Sequence, residues 1–238
     1  MKAAWFERFG SPEEALQIGE YQTPEPKTGE VKIRVKTSGV NPSDTKKRAG
    51  ANPALLDNGP VIPHSDGAGV IEAVGEGVST SRIGERVWTY NAQYGRQEGT
   101  AAEYVCLPSE QAVYLPENTS FEAGAIMAIP AMTAHRAVMA DGDVKGQIVL
   151  VTGGAGRVGY YAIQWAKAFG ATVIATASSE GSKAECVKAG ADLVVGHPSE
   201  ASIQDILEFT GGRKVDRVVE GDFGVNLVPI LDLSLIHI

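Results

Sequence analysis

The chain has little cysteine and no long apolar run, and these shortages exclude several classes of protein. Its two cysteines, Cys106 and Cys186, lie in unrelated segments and form neither a metal-ligand spacing nor a disulfide framework. Each is therefore interpreted as a small buried apolar residue, and we expect a reducing, cytoplasmic location. The first residues lack the apolar core of a signal peptide. The longest apolar stretch, residues 123–132, is interrupted by Pro130 and is too short to span a bilayer.

Positive charge is also scarce. The 21 lysines and arginines are outnumbered by 29 aspartates and glutamates, which gives a net charge of −8 with no basic cluster. This balance argues against a protein that binds the phosphate backbone of a nucleic acid. The length of 238 residues, with 43% hydrophobic and 21% charged residues, is typical of a globular protein of one or two domains.

The most informative segment that is present is a glycine-rich turn between a strand-like run at 147–152 and a helix-like run at 160–169. A second strand-like run follows at 172–177. The turn consists of Gly154, Ala155, Gly156, Arg157, Val158 and Gly159. Glycines in this order allow a tight turn, let the backbone approach a pyrophosphate and let helix and strand pack closely, while the helix N-terminus faces the anion. The context of strand, turn, helix and strand predicts a dinucleotide-binding site.

The end of the second strand-like run indicates which dinucleotide binds. A site that prefers NADH usually carries an acid there for the ribose 2′-hydroxyl. Here the run ends in Ser178 and Ser179, with Lys183 close behind. Because no acid stands at the strand end to repel a 2′-phosphate, the pattern predicts NADPH. Glu180 is the one nearby acid that a small shift of the loop could bring to a ribose.

A structural interpretation of the same segment remains open beside the binding one. Ser182 and Glu185 have the spacing of a capping box, so Ser182 is expected to cap the next helix. Lys183 would then be a solvated lysine in the first helical turn. The two interpretations are compatible.

The two halves of the chain differ in their sequence pattern. Residues 1–121 consist of short strand patterns separated by turns, whereas residues 122–238 alternate helix and strand patterns, as in a parallel sheet with crossover helices. We therefore predict two domains with these bounds. Helices are expected at 160–169, 182–190 and 199–211, with further strands at 67–78, 86–90, 103–107, 192–195 and 215–219.

Several segments, in the same order as in a known family, carry a resemblance. They are GVNPSD at 39–44, DGAGVIEAVG at 66–75, GTAAEY at 99–104 and IPAMTA at 129–134, together with the glycine-rich turn and its flank at 161–170. The chain resembles the medium-chain dehydrogenase/reductase superfamily and, within it, the zinc-independent quinone oxidoreductases similar to zeta-crystallin. The resemblance implies an α/β fold, with an N-terminal GroES-like β-barrel that carries the catalytic cleft, followed by a Rossmann domain.

Zinc separates the branches of that superfamily. The zinc alcohol dehydrogenases have a ligand cysteine where this chain has Asn41, and a ligand histidine where it has Ser65, with a histidine displaced to His64. Because Zn²⁺ needs three well-placed nitrogen or sulfur ligands, we predict no metal site. Without a Lewis acid, hydride transfer suits small-molecule acceptors that are already electrophilic, such as quinones or α,β-unsaturated carbonyl compounds.

The resemblance also implies the catalytic residues. Asn41 and Thr133 match positions that line the nicotinamide and substrate, where their amide and hydroxyl could bind the carboxamide or the acceptor oxygen. Asp44 and Lys46 complete the predicted catalytic set. Asn41 could instead serve as a helix cap before Pro42. Lys46 stands where many members have a tyrosine, and it could polarise a carbonyl or belong to a solvated, mobile cationic run, so its presence puts the usual quinone preference in doubt.

His197 matches a family position that packs near the adenosine 2′-phosphate, although a plain surface turn fits it equally well. The family's Rossmann domain has six strands, and this chain contains about four of them. Residues 233–238 do not resemble the family's continuation and are interpreted as a non-native tail of a truncated chain. Since dimers of the family commonly form through the sixth strand, the usual dimer is not expected. Two alternatives to quinone reduction remain: reduction of another small carbonyl, enoyl or signalling compound, and nucleotide binding without turnover.

Overall fold

The computed structural model describes residues 1–197 and 199–233 and divides into two compact units, Met1–Ile129 and Pro130–Ile238. The division lies eight residues after the predicted boundary at 121/122. Residues 121–129 stay with the first unit because Phe121 and Ala125 pack on its Ala68 and Leu115, and the backbone N–H of Ile129 donates to Asp66 Oδ2. No helix in the described ranges is long and apolar enough to cross a membrane.

Antiparallel sheets form the first unit. Its strands are β1 (Lys2–Phe6), β2 (Leu16–Glu20), β3 (Glu30–Gly39), β4 (Asp66–Val74), β5 (Arg86–Thr89), β6 (Tyr104–Pro108) and β7 (Ala112–Tyr114). Strands β1 and β2 pair with each other, and the others form a five-stranded sheet in the order β6-β3-β4-β5-β7. Its helices are α1 (Pro12–Ala15), α2 (Pro42–Arg48) and α3 (Phe121–Gly124). On β3, Val31 and Ile33 are fully buried, because alternate side chains of a strand point to one face.

A parallel sheet with helices forms the second unit. Its strands are β8 (Ile148–Val151), β9 (Thr172–Thr176), β10 (Leu193–Val195) and β11 (Arg217–Val219), in the order β10-β9-β8-β11. Its helices are α4 (Thr133–Met139), α5 (Arg157–Ala168), α6 (Glu180–Ala189), α7 (Glu200–Phe209) and α8 (Phe223–Leu233). Four parallel strands in this order are the first four of a doubly wound sheet, which confirms the predicted fold class.

The core of the second unit covers both faces of the sheet. Along β8, Val149 and Val151 belong to one apolar cluster, whereas Ile148 and Leu150 belong to another. Because neighbouring residues of a strand point to opposite faces, the two clusters lie on opposite faces of the sheet. Helices therefore cover the sheet on both sides. Four consecutive apolar residues are therefore buried here, as expected for a parallel strand.

Two local predictions in this unit were wrong. Ser182 is not the cap of α6: the helix begins at Glu180, and the N-cap is Ser179, whose hydroxyl accepts from the backbone N–H of Ser182 at 3.2 Å. Helix α5 begins at Arg157 rather than at 160, so the second half of the glycine-rich turn forms its first helical turn. In both cases the prediction missed helix-starting residues, because serine and glycine next to a helix also favour turns.

The predicted non-native tail lies mostly outside the described residues, since residues 234–238 are not described. Its first residue, Leu233, is the last residue of α8 and is 1% exposed in an apolar cluster with Ile206 and Val215. The backbone N–H of Val215 donates to the Leu233 carbonyl at 2.9 Å. Leu233 therefore packs into the second unit, and the non-native origin of residues 233–238 stays a prediction.

Candidate functional site

The glycine-rich turn connects β8 to α5, and its glycines are required by space as well as by conformation. Gly153 has a φ of +59°, in the left-handed region that favours glycine. A Cβ on Gly154 would lie 2.9 Å from Ala175 Cβ, and one on Gly159 would lie 2.4 Å from the Gly153 carbonyl oxygen. A side chain at Gly159 would therefore displace the backbone of the turn, and one at Gly154 would push the turn away from the side chains packed behind it.

Two buried threonines at the ends of β8 and β9 hold the neighbouring loops to the sheet. Thr176, at the end of β9, accepts from the backbone N–H of Gly153 through Oγ1 at 3.0 Å and from that of Gly154 through its carbonyl at 2.9 Å. Thr152, directly after β8, accepts from the backbone N–H of Gly221 at 3.0 Å. Sequence reasoning did not assign these threonines; a hydroxyl residue at the end of each strand-like run is the signal that could have found them.

A cavity of about 530 Å³ opens at the carboxyl ends of the strands. It lies where the strand order reverses between β8 and β11, which is the place where ligands bind in open α/β sheets. Of the predicted residues it contains Gly156, the N-cap of α5, together with Val158, Gly159, Thr133 and His197. Helix α5 has 12 residues and presents its first N–H groups here, which suits a pyrophosphate.

The other predicted cofactor residues do not line this cavity; Gly154 is buried, and Lys183 is half-buried. Ser178 and Ser179 are exposed just beyond β9, and Lys183 Nζ pairs with Glu180 Oε1 at 2.8 Å. Such a surface pair contributes little to stability, so the lysine can be recruited by a stronger anion. Within the turn, Ala155 is also exposed.

An acid at the end of β11 is part of the cavity and was not predicted. Glu220 Oε1 accepts from Asn226 Nδ2 at 3.0 Å and from the backbone N–H of Asp222. Glu220 Oε2 is buried and accepts no hydrogen bond from the described residues. All three side chains line the cavity. An acid directly after the fourth strand-like run is the signal in the sequence.

A buried polar cluster surrounds Asn41 in the first unit. Asn41 is the N-cap residue of α2, and its backbone N–H donates to Asp44 Oδ2 at 2.8 Å. Its side-chain amide donates to Asp66 Oδ2 at 2.9 Å, and the Ile129 backbone N–H donates to the same oxygen at 3.0 Å. Asn41, Asp44 and Asp66 are each at most 5% exposed. The structure thus brings together the predicted Asn41 and Asp44 and adds Asp66, which sequence reasoning missed.

Burial controls the protonation of this cluster. Loss of solvent raises the pKa of Asp66 to about 6, against the hydrogen bonds from Asn41 and Ile129, which favour its charged form. Burial also raises the pKa of Asp44, which the Asn41 backbone N–H and His64 oppose. A buried carboxyl with a pKa near 6 can exchange a proton close to neutral pH.

The residues at the zinc-ligand positions do not fit a zinc ion. His64 has a φ of +79° and its Nδ1 lies 2.8 Å from Ser38 Oγ, so one ring nitrogen already has a hydroxyl partner. Ser65 is buried, and the Asn41 amide is bound to Asp66. Among the described residues, no three His, Cys, Asp or Glu side chains are grouped to hold a metal. Serine and asparagine cannot replace the thiolate and imidazole that Zn²⁺ prefers.

Lys46 and Thr133 occupy different settings. Lys46 is exposed in the last turn of α2, so the predicted mobile cationic run is instead helical. Only Lys46 of the three is exposed: Lys47 Nζ donates to Gln93 Oε1 at 2.7 Å, and Arg48 donates to the Gly10 carbonyl. Thr133 is the first residue of α4 and lines the cavity of the second unit.

Comparison with known proteins gives consistent relatives for both units. Residues 27–117 match the alcohol dehydrogenase GroES-like domain, and residues 158–221 match the family described as zinc-binding dehydrogenase. A quinone oxidoreductase of Homo sapiens is 38% identical over 240 residues, which cover 99% of this chain and 70% of that protein. A mycobacterial quinone oxidoreductase structure, 31% identical, superposes with a TM-score of 0.86 over 98% of this chain and 70% of its own. The Escherichia coli quinone oxidoreductase complexed with NADPH is 28% identical, with a TM-score of 0.84 over 98% of this chain and 70% of its own.

Proposed function

Because the chain belongs to the quinone oxidoreductase branch of the medium-chain dehydrogenase/reductase superfamily, we propose that it transfers hydride from NADPH to quinones or to activated, α,β-unsaturated carbonyl compounds without zinc. One observation carries the proposal: a cavity at the switch point of the parallel sheet is bordered by a glycine turn and by the first turn of α5. Backbone N–H groups without a side-chain screen are suited to a dinucleotide pyrophosphate.

The residues of the second unit fit NADPH. Residues 154–159 would hold the pyrophosphate, while Ser178, Ser179, Lys183 and His197 would hold the 2′-phosphate side. When bound, NADPH supplies a hydride from C4 of its nicotinamide. The hydroxyl of Thr133, at the cavity wall, would hydrogen-bond the carboxamide or the acceptor oxygen. The solved Escherichia coli relative with NADPH supports this choice of cofactor.

The first unit would supply a fixed polar group to the acceptor. Asp44 and Asp66 hold the backbone and the amide of Asn41 from two sides, so the Asn41 side chain cannot rotate freely. A donor that is already oriented stabilises a developing oxyanion without reorganising in the transition state. Asp66, with a pKa of about 6, is a buried group beside Asn41 that is able to exchange a proton. The donor set around Asn41 supports chemistry without zinc, and therefore an acceptor that needs no Lewis acid.

The test is NADPH consumption by the purified chain after exhaustive chelation, with a quinone, an enone and a plain aldehyde, set beside NADPH binding measured alone. We expect turnover with the quinone or the enone, little with the aldehyde, and no dependence on added zinc. Binding without turnover would make the chain a nucleotide-binding module. Turnover only with another class of carbonyl compound would assign that class as the substrate. About one bound zinc per chain, with activity lost when the zinc is removed, would contradict the zinc-free chemistry. We further propose a cytoplasmic location, which the two free cysteines support.

A further inference from the structure

We propose that Glu220 is a ribose-binding residue, whose carboxylate accepts a hydrogen bond from a hydroxyl of the ribose on the nicotinamide side of the dinucleotide. The inference rests on the dinucleotide binding in the proposed function, and it assigns a ligand group to an acid that the glycine turn does not explain. Glu220 directly follows β11, which is the fourth strand of the sheet, and its side chain lines the cavity.

The hydrogen bonds of Glu220 leave one buried carboxylate oxygen without a partner among the described residues. Asn226 Nδ2 and the backbone N–H of Asp222 both donate to Oε1, so the carboxylate is held in one orientation by its own turn. Oε2 is buried and has no donor among the described residues. A buried carboxylate oxygen without a donor is costly, and a ligand hydroxyl at the cavity wall would remove that cost.

The charge at this strand end selects a hydroxyl over a phosphate. Asp222 lines the same wall as Glu220, and no lysine or arginine is among the described residues that line the cavity. Two acids repel a phosphate and attract a neutral hydroxyl donor. Groups that suit a phosphate follow the strand on the other side of β8. They are Ser178, Ser179 and Lys183, which come after β9.

This asymmetry orients the dinucleotide along the strand ends. The hydroxyls and the lysine beyond β9 suit the phosphorylated ribose, and the glycine turn after β8 suits the pyrophosphate. Glu220, the acid after β11, would then contact the second ribose, on the nicotinamide side of the dinucleotide. The order of strands β9, β8 and β11 in the sheet matches the order of these three parts of the ligand.

The experiment measures dissociation constants for NADPH, NADH and 2′,5′-ADP, which contains only the adenosine half, by titration of protein fluorescence or calorimetry. Glu220→Gln keeps the size of the side chain and removes the charge. We expect this variant to raise the dissociation constants of NADPH and NADH alike, by about tenfold. The dissociation constant of 2′,5′-ADP should stay within twofold of the wild-type value. Lys183→Ala should show the reverse pattern, with NADPH and 2′,5′-ADP weakened and NADH unchanged. Glu185→Gln, an exposed acid on α6, is the matched control for loss of one charge and should change none of the three constants.

Equal weakening of 2′,5′-ADP and NADPH by Glu220→Gln would show that Glu220 only supports the fold of the turn, and unchanged constants for all three ligands would show that it binds none of them. Either result overturns the inference. Thermal unfolding of Glu220→Gln within a few degrees of the wild type keeps the comparison valid. Asn226→Ala is a second variant: it frees the Glu220 carboxylate from its Asn226 partner, so it should weaken NADPH binding and leave 2′,5′-ADP binding unchanged. If NADPH binds as expected but no acceptor is reduced, the proposed activity fails while this inference stands. If no nucleotide binds, both fail.

Discussion

The glycine turn of the second unit and the polar cluster of the first unit are two sites built in opposite ways. The turn is six consecutive residues, and the groups that we propose to bind the cofactor are backbone N–H groups at the start of α5. The cluster joins side chains from separate segments: Asn41 and Asp66 are 25 residues apart, and Asp66 and Ile129 are 63 apart. In our proposal, local backbone shape holds the cofactor, whereas long-range side-chain contacts fix a reactive group.

The largest expected effect tests the side-chain site. Asn41→Ala and Thr133→Ala should each lower turnover by about 10² to 10³, because each removes a hydrogen-bond donor that we place at the developing oxyanion, and such a donor is worth about 2.7–4 kcal/mol. Lys46→Ala should change turnover far less, since Lys46 is exposed on α2. Steady-state rates with a quinone and an enone are the measurement. If Lys46→Ala alone abolishes turnover, polarisation by the lysine is the better mechanism.

The next effect concerns the buried charge that holds the Asn41 amide. The pKa of Asp66 is raised from 3.8 to about 6 in the folded chain, so the folded state binds this proton more tightly than the unfolded state. Stability is therefore lost as the pH rises from about 4 to 6, by about 3 kcal/mol from this group. Asp66→Asn, which keeps an acceptor for Asn41 and Ile129, should remove that loss.

Denaturant unfolding of both proteins between pH 3.5 and 7 checks this sign. The difference between the two curves cancels the other groups to first order, apart from Asp44, whose charge raises the pKa of Asp66 and whose own pKa is raised by burial. A difference in unfolding free energy that does not change with pH would show that folding does not raise the pKa of Asp66.

The same contrast explains how much could be predicted from the sequence. The glycine turn and the four-strand sheet were predictable, because strand, turn and helix follow one another and each leaves a local pattern. Asp66, Glu220 and the two threonines were not assigned, because their roles arise from partners that the fold brings to them. Ser182 was wrongly predicted as a cap because Ser179 offers the same hydroxyl three residues earlier.

A third prediction tests the backbone site through added volume. Gly159→Ala places a Cβ 2.4 Å from the Gly153 carbonyl oxygen, so the turn must move. We expect about 1–3 kcal/mol of lost NADPH affinity or stability from this strain. Gly181→Ala is the matched control, because its Cβ meets no atom within 4 Å in α6. It should leave NADPH binding unchanged and stabilise the helix by about 0.5–1 kcal/mol. Similar losses in both variants would mean that close contact at Gly159 is not the cause.

The smallest expected effect concerns cofactor preference. We expect the wild type to bind NADPH about tenfold more tightly than NADH, because a cation and two hydroxyl residues follow β9 where an acid would favour NADH. Lys183→Ala should narrow the difference between the two affinities by weakening NADPH binding alone, because the 2′-phosphate loses a charge-assisted hydrogen bond from the lysine. Paired titrations give both constants, and equal or tighter NADH binding in the wild type would overturn the preference.

The most direct test of the division of roles between the two sites measures NADPH dissociation and turnover together in Asn41→Ala and Gly159→Ala. The predicted result is that Asn41→Ala loses about 10² to 10³ in turnover with NADPH affinity nearly unchanged, whereas Gly159→Ala loses NADPH affinity and recovers turnover at saturating NADPH. If Asn41→Ala instead loses affinity and keeps its turnover at saturation, Asn41 is a cofactor-binding residue, and the side-chain cluster does not fix the reactive group.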